Sequence, residues 1–208
     1  MNGPILSIIT VNFNNNLGLL KTLESVSSQS FSSYEHIIID AGSTDGSRET
    51  IIQYEKENPH LSFWSSESDK GIYDGMNKGI DHAKGQYLYF LNSGDCLSQD
   101  ILAKIPFDGT EYLYGDTILF YKRKTKKRVY PDTLDLIYLS DNSLHHQSCF
   151  IHHTLFKDKR YDINYKIISD WAHCFQCLII ENRTYRHLPY IISCLLYTSP
   201  SPRDPKTS

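Results

Sequence analysis

Ile5-Leu6-Ser7-Ile8-Ile9-Thr10-Val11 is an unbroken apolar, largely β-branched run, and Tyr34-Glu35-His36-Ile37-Ile38-Ile39 resumes that character before stopping at Asp40. Runs of this length and composition read as strands buried on both faces of a parallel sheet. Between them, Asn14 to Gln29 places Leu17, Leu20, Leu23 and Val26 at helical spacing. The turn Gly42-Ser43-Thr44-Asp45-Gly46-Ser47 offers capping side chains to a second helix over Arg48 to Glu57. The pattern continues with a strand over Leu61 to Ser65, a helix over Gly71 to Ala83 and a strand over Gln86 to Leu91. Strand and helix alternating in such short units predict an α/β fold with a mostly parallel central sheet and helices on both faces.

The second half changes character. Tyr112 to Tyr121 and Val129-Tyr130 predict a hairpin whose connection is the basic run Lys122, Arg123, Lys124, Lys126, Lys127 and Arg128. That run reads either as a solvated loop or as a patch that meets anionic lipid headgroups or an anionic acceptor. Gln147 to Ile151 predicts a further strand and Ile168 to Ile180 a helix, so the parallel half carries a mixed C-terminal extension. Within that helix Cys174 and Cys177 read as core thiols, with a zinc site using His173 or the His152–His153 pair as the alternative.

The 208 residues carry a formal net charge of -3, which gives no reason to expect a nucleic-acid partner. Five cysteines, irregularly spaced, suit free thiols in a reducing compartment. The opening apolar run lacks the flanks of a secretory leader, and Leu188 to Tyr197 falls short of a membrane span. A cytoplasmic location is expected, with peripheral contact at the inner face of the membrane left open. From Tyr197 onward the chain is rich in Pro and Ser, and Leu195 to Asp204 resembles a translated sequencing adapter. Residues 194–208 are therefore expected to be a non-native, disordered tail. Residues 1–193 are expected to form one domain, with a nucleotide-binding half over 1–95 and an acceptor half over 96–193.

In an open parallel sheet, ligands bind beyond the carboxyl ends of the strands. Here those ends carry Thr10, Asn12 and Asn14, then Asp40 and Asp45, then Ser66, Glu67 and Asp69, then Asn92 and Asp95. Four successive polar ends predict a polar cleft. No glycine-rich phosphate loop follows the first strand, so a diphosphate would be bridged by a cation instead. Each residue has a simpler reading as well: Asp40 as a turn former, Asp95 and Asp170 as helix caps, His146 as a structural histidine and Lys70 as a solvated charge.

Ser7-Ile8-Ile9-Thr10-Val11-Asn12-Phe13-Asn14, Ile38 to Gly46, Asp69-Lys70-Gly71-Ile72-Tyr73-Asp74-Gly75-Met76-Asn77-Lys78-Gly79 and Tyr89 to Asp95 together resemble the family 2 glycosyltransferases. His146-Gln147 and Tyr165 to Trp171 are similar to later signatures of the branch that builds bacterial surface polysaccharides. The resemblance covers residues 5 to 190. It implies a GT-A fold, a nucleoside-diphosphate-sugar donor of UDP type, and inverting transfer to a saccharide or lipid-linked acceptor. It places Thr10, Asn12, Asp40, Asp69 and Lys70 at the nucleotide, and Asn92, Asp95 and His146 at a Mg²⁺ or Mn²⁺ ion. Asp170 is the implied catalytic base. Asn92 and Gly94 stand where carboxylates often stand in the family, which predicts modest metal affinity without donor phosphates. A catalytically impaired nucleotide- or glycan-binding domain is the alternative, and oligomeric state is not legible.

Overall fold

The computed structural model describes residues 3–121 and 124–196. Its first half runs β1 (Leu6–Asn12), α1 (Asn16–Ser27), β2 (Tyr34–Asp40), α2 (Ser47–Glu57), β3 (Leu61–Ser66), α3 (Ile72–His82) and β4 (Tyr87–Phe90). All seven residues of β1 and all seven of β2 are buried, as expected of strands covered on both faces. The chain lays β2 and then β3 on one side of β1, and returns to place β4 on its other side, all four parallel. The reversal beside β1 is a topological switch point, where such sheets open a ligand crevice.

Alternation along β1 and β2 divides the core. Ile9, Val11, Ile37 and Ile39 pack with Met76 and Ile80 of α3, while Ile38 packs on the opposite face with Leu19, Leu23 and Ile51 of α1 and α2. α3 lies so close to β1 that a Cβ on Gly79 would sit 2.4 Å from the Ile9 Cγ2 methyl. Glycine is required there by contact, not by backbone conformation.

The second half contributes β5 (Cys96–Leu97), β6 (Tyr112–Tyr121), β7 (Lys124–Arg128), α4 (Leu136–Asp141), β8 (Cys149–His152), α5 (Ser169–Phe175) and β9 (Tyr185–Leu196). β8 pairs antiparallel with β4, so one sheet in the order β3-β2-β1-β4-β8-β6-β9-β5 runs through both halves, with β7 paired to β6.

Several expectations need correction. The hairpin forms, but its second strand is Lys124–Arg128 itself and not Val129-Tyr130. A strand at a sheet edge needs no apolar face, and charge there protects against further pairing; Lys122 and Arg123 lie outside the described residues. Cys194, Leu195 and Leu196 belong to β9, paired with β5 and β6, so they are not tail. Residues 197–208 lie outside the described residues. The last helix is seven residues of α-helix followed by a π-turn over Gln176–Ile180. Cys174 and Cys177 are buried free thiols, and the neighbouring His173 stacks on Phe156 at 4.2 Å.

Candidate active site

A cleft of about 550 Å³ opens beyond the carboxyl ends of β1 to β4, lined by residues that include Asn12, Asn15, Asp69, Ile72, Asn92 and Ser93. Parallel pairing fixes its floor. Asn12 and Asp40 are register partners at the ends of β1 and β2, and Asn12 Nδ2 donates to Asp40 Oδ1 at 2.7 Å. Ser43 donates to the same carboxylate through its backbone N–H (2.9 Å) and its hydroxyl (2.5 Å), and the Ser66 hydroxyl donates at 2.6 Å. Burial pushes the Asp40 carboxyl up, but the donors from Ser43, Ser66 and Asn12 outweigh it and hold it below the usual range. Asp40 is fully buried with four donors on its two oxygens.

Thr10 does not line the cleft. It is fully buried and its hydroxyl meets His36 Nε2 at 2.9 Å on the α1–α2 side of the sheet. Thr10 shares the face of Asn12 but lies one strand repeat inside the sheet's end, where it is enclosed as a satisfied core threonine. Asp69 does line the cleft, with Oδ1 bonded to the backbone N–H of Gly71 at 2.9 Å. Lys70 beside it is exposed, and its ammonium has no carboxylate partner among the described residues. Asp45 has a structural role, accepting from the Asn16 N–H at the start of α1 (2.7 Å) and the Ser47 hydroxyl at the start of α2 (2.6 Å).

The loop after β4 turns through Gly94, whose φ of +101° is the left-handed conformation that glycine adopts without strain. Asn15 holds this loop by donating to the Ser93 carbonyl at 2.9 Å. Asn92 Nδ2 lies 3.0 Å from His146 Nε2, and Asn92 Oδ1 is buried without a partner. Asp95 points the other way, accepting from Gln147 Nε2 (2.8 Å) and the Leu196 N–H (3.1 Å). Burial pushes its carboxyl up to about 6.

Asn92, Asp95 and His146 therefore gather around one loop, but they form no ready cation cage. Among the described residues no group of three His, Cys, Asp or Glu side chains is arranged to hold a metal. The orphaned Asn92 oxygen fits a hard cation that brings most of its ligands as phosphate oxygens and water.

His146 opens the short turn His146–Ser148 before β8, and its Nδ1 lies 2.8 Å from Asp170 Oδ2. The Tyr73 hydroxyl, in the first turn of α3, donates to Asp170 Oδ1 at 2.7 Å. Asp170 sits in the first turn of α5, whose cap is Ile168, so its carboxylate is turned to these two partners and does not cap the helix. Burial pushes the Asp170 carboxyl up, but donation from His146 and Tyr73 outweighs it and the group stays ionised. A continuous chain Tyr73–Asp170–His146–Asn92 thus runs from α3 and α5 to the cleft. Sequence reading named three of its four members. Tyr73 lies inside the Asp69 to Gly79 motif, where a first-turn position on α3 carries no sign of a partner on a distant helix.

The sequence profile described as "Glycosyl transferase family 2" matches residues 7–153, more than half of the chain. The chain belongs to this family. An uncharacterized glycosyltransferase of Mycobacterium tuberculosis is 42% identical over 103 residues, covering 49% of this chain and 38% of that protein. A Mycobacterium bovis protein named PGL/p-HBAD biosynthesis glycosyltransferase is 27% identical over 201 residues, covering 93% of this chain and 77% of its own length. The crystal structure of Staphylococcus aureus TarS in complex with UDP superposes with a TM-score of 0.75 at 17% identity, over 92% of this chain and 60% of that one. The shared GT-A architecture follows from that superposition. This family 2 chain therefore spans 38% of one of those relatives and about three quarters of the other.

Proposed function

We propose that the chain is an inverting glycosyltransferase that moves a sugar from a nucleoside-diphosphate-sugar of UDP type to a hydroxyl of a saccharide or lipid-linked acceptor in polysaccharide biosynthesis. The observation that carries this reading is the Asp170 carboxylate, ionised and oriented from both sides by Tyr73 and His146 beside the cleft. Family membership and the four polar strand ends supply its context.

In this reading the nucleotide lies over Asn12 and Asp40, with the Ser43 hydroxyl giving way to the base N–H. Asn12 Oδ1, buried and unpartnered at the cleft floor, is a second acceptor for it. Asp69 and Lys70 lie at the diphosphate, where the free ammonium of Lys70 offsets negative charge. The Asn92 oxygen would hold Mg²⁺ or Mn²⁺, with Asp95 and His146 joining only on release of their present partners, and the ion would supply charge stabilisation at the departing diphosphate. Asp170 takes the proton of the acceptor hydroxyl as that oxygen bonds to the anomeric carbon and the bond to the diphosphate oxygen breaks. One displacement inverts the anomeric configuration. Holding both substrates in line supplies much of the remaining rate.

Calorimetric titration of UDP with and without Mn²⁺, paired with assays of UDP release from UDP-sugars, tests the reading. Asp170→Asn should bind UDP as the native protein does and lose turnover by roughly 10²- to 10⁴-fold. Folded native protein that binds no UDP under either condition would reject it.

A further inference from the structure

The edge strand β7 presents an arrangement that the transfer reading does not use. Strand alternation puts Lys124, Lys126 and Arg128 on one face, opposite Tyr121, Leu119 and Thr117 of β6. Lys127 falls on the other face, where its ammonium meets the buried Asp116 at 3.2 Å. Lys124 lies over the Tyr121 ring and Arg128 over the Tyr130 ring. Among the described residues, no carboxylate pairs with Lys124, Lys126 or Arg128. A chain with a net charge of -3 thus keeps one uncompensated basic face.

Apolar side chains extend that surface: Leu136 and Ile137 project from α4 at 56% and 75% exposure, whereas Phe120, paired with Thr125, lies on the other face of the hairpin with Lys127. The pieces are tied together: Arg128 donates to Asn142, at the end of α4, at 2.9 Å, and Trp171 of α5 donates to the Leu139 carbonyl of α4 at 2.7 Å. The same sheet face leads to the catalytic network, because Thr117, opposite Arg128, bonds His145, next to His146.

We propose that β7 and α4 form a docking surface for an anionic lipid bilayer. Unpaired cations answer the negative headgroups, and Leu136 and Ile137 of α4 enter the interfacial region beside them. A soluble polyanion would use the cations and leave these apolar side chains in water, which is why the bilayer is the occupant. Docked in this way, the protein holds Asp170 near the membrane plane. The surface stands on its own observations and does not depend on which sugar is moved.

Co-sedimentation with phosphatidylcholine vesicles, with and without phosphatidylglycerol, tests the surface on the full chain. Binding should require phosphatidylglycerol and weaken steeply as salt rises. Reversing two charges in K124E/K126E should weaken partition by roughly 25-fold or more, since each basic residue near such a surface contributes several-fold. Ile137→Ser should weaken it by roughly tenfold with charge intact. Both variants should bind UDP as the native protein does, which separates this surface from the nucleotide cleft. Native protein that fails to pellet with either vesicle overturns the proposal. So does equal binding to both vesicles, or tight binding of soluble polyphosphate without any vesicle binding.

Discussion

The Tyr73 hydroxyl donates to Asp170 Oδ1 at 2.7 Å across a separation of 97 residues, and so joins the first turn of α3 to the first turn of α5. Tyr73 is buried, and the charge of Asp170 adds to burial in pushing the phenol far above its ordinary value, so it acts only as a donor here. This makes it a positioning residue for the proposed base.

Tyr73→Phe removes that donor and leaves the ring. The Asp170 pKa should rise, moving the acidic limb of the rate profile to higher pH, and turnover should fall by roughly ten- to a hundredfold, less than on loss of the base itself. A pH–rate profile checks this, because a purely structural tyrosine would leave the limb where it is. The lost bond to a charged group should cost about 1.5–3 kcal/mol of stability.

Asn92→Ala should remove the cation-dependent part of UDP binding and spare the cation-free part, because the substitution deletes the one orphaned oxygen at the loop. Titrations with and without Mn²⁺ read the two parts separately. Equal loss in both would place Asn92 on the nucleotide itself.

Stability should fall as pH drops from about 6.5 towards 4. Burial pushes His36 down to about 3, and His145 and His173 down to about 4, so all three are neutral in the folded chain. The unfolded chain binds more protons across that window, and each histidine contributes a slope of roughly 1.4 kcal/mol per pH unit that favours unfolding as pH falls. Asp95 works in the opposite sense, since its folded value is raised to about 6 and its proton is held more tightly when folded. Three groups against one decide the sign. Urea midpoints measured across pH 4 to 7 check it, and His173→Gln should flatten the slope.

Gly79→Ala should destabilise the protein despite alanine's better helix propensity. The added methyl meets Ile9 Cγ2 at 2.4 Å, and crowding of this kind costs about 1–3 kcal/mol against a gain of about 1. Chemical denaturation of the single variant and of Gly79→Ala with Ile9→Val checks it, the second substitution restoring part of the loss.

The first half was legible because its strands are apolar throughout and its helices carry clear spacing, and the observed β1 and β2 each end one residue beyond the expected runs. The basic edge strand was not legible, since Lys124 to Arg128 has no apolar alternation and owes its extended form to pairing with β6. α4, only six residues long, and β5, only two, are too short to give a period. Site residues at strand ends could be named from position, whereas their directions could not. Thr10 and Asn12 share a face of β1, yet the strand's end frees Asn12 to the cleft and encloses Thr10. The pairing of His146 with Asp170 depends on a sheet crossing that no spacing encodes.

That pairing has a consequence for modularity. Asp170 and His146 come from the second half of the chain, whereas Tyr73 comes from the first. Chimeras that exchange second halves between relatives would carry their own counterpart of Asp170, the proposed base, but borrow its clamp from the host. Such a swap should work best into recipients with tyrosine at the position of Tyr73, so a single hydroxyl weighs on which halves recombine well.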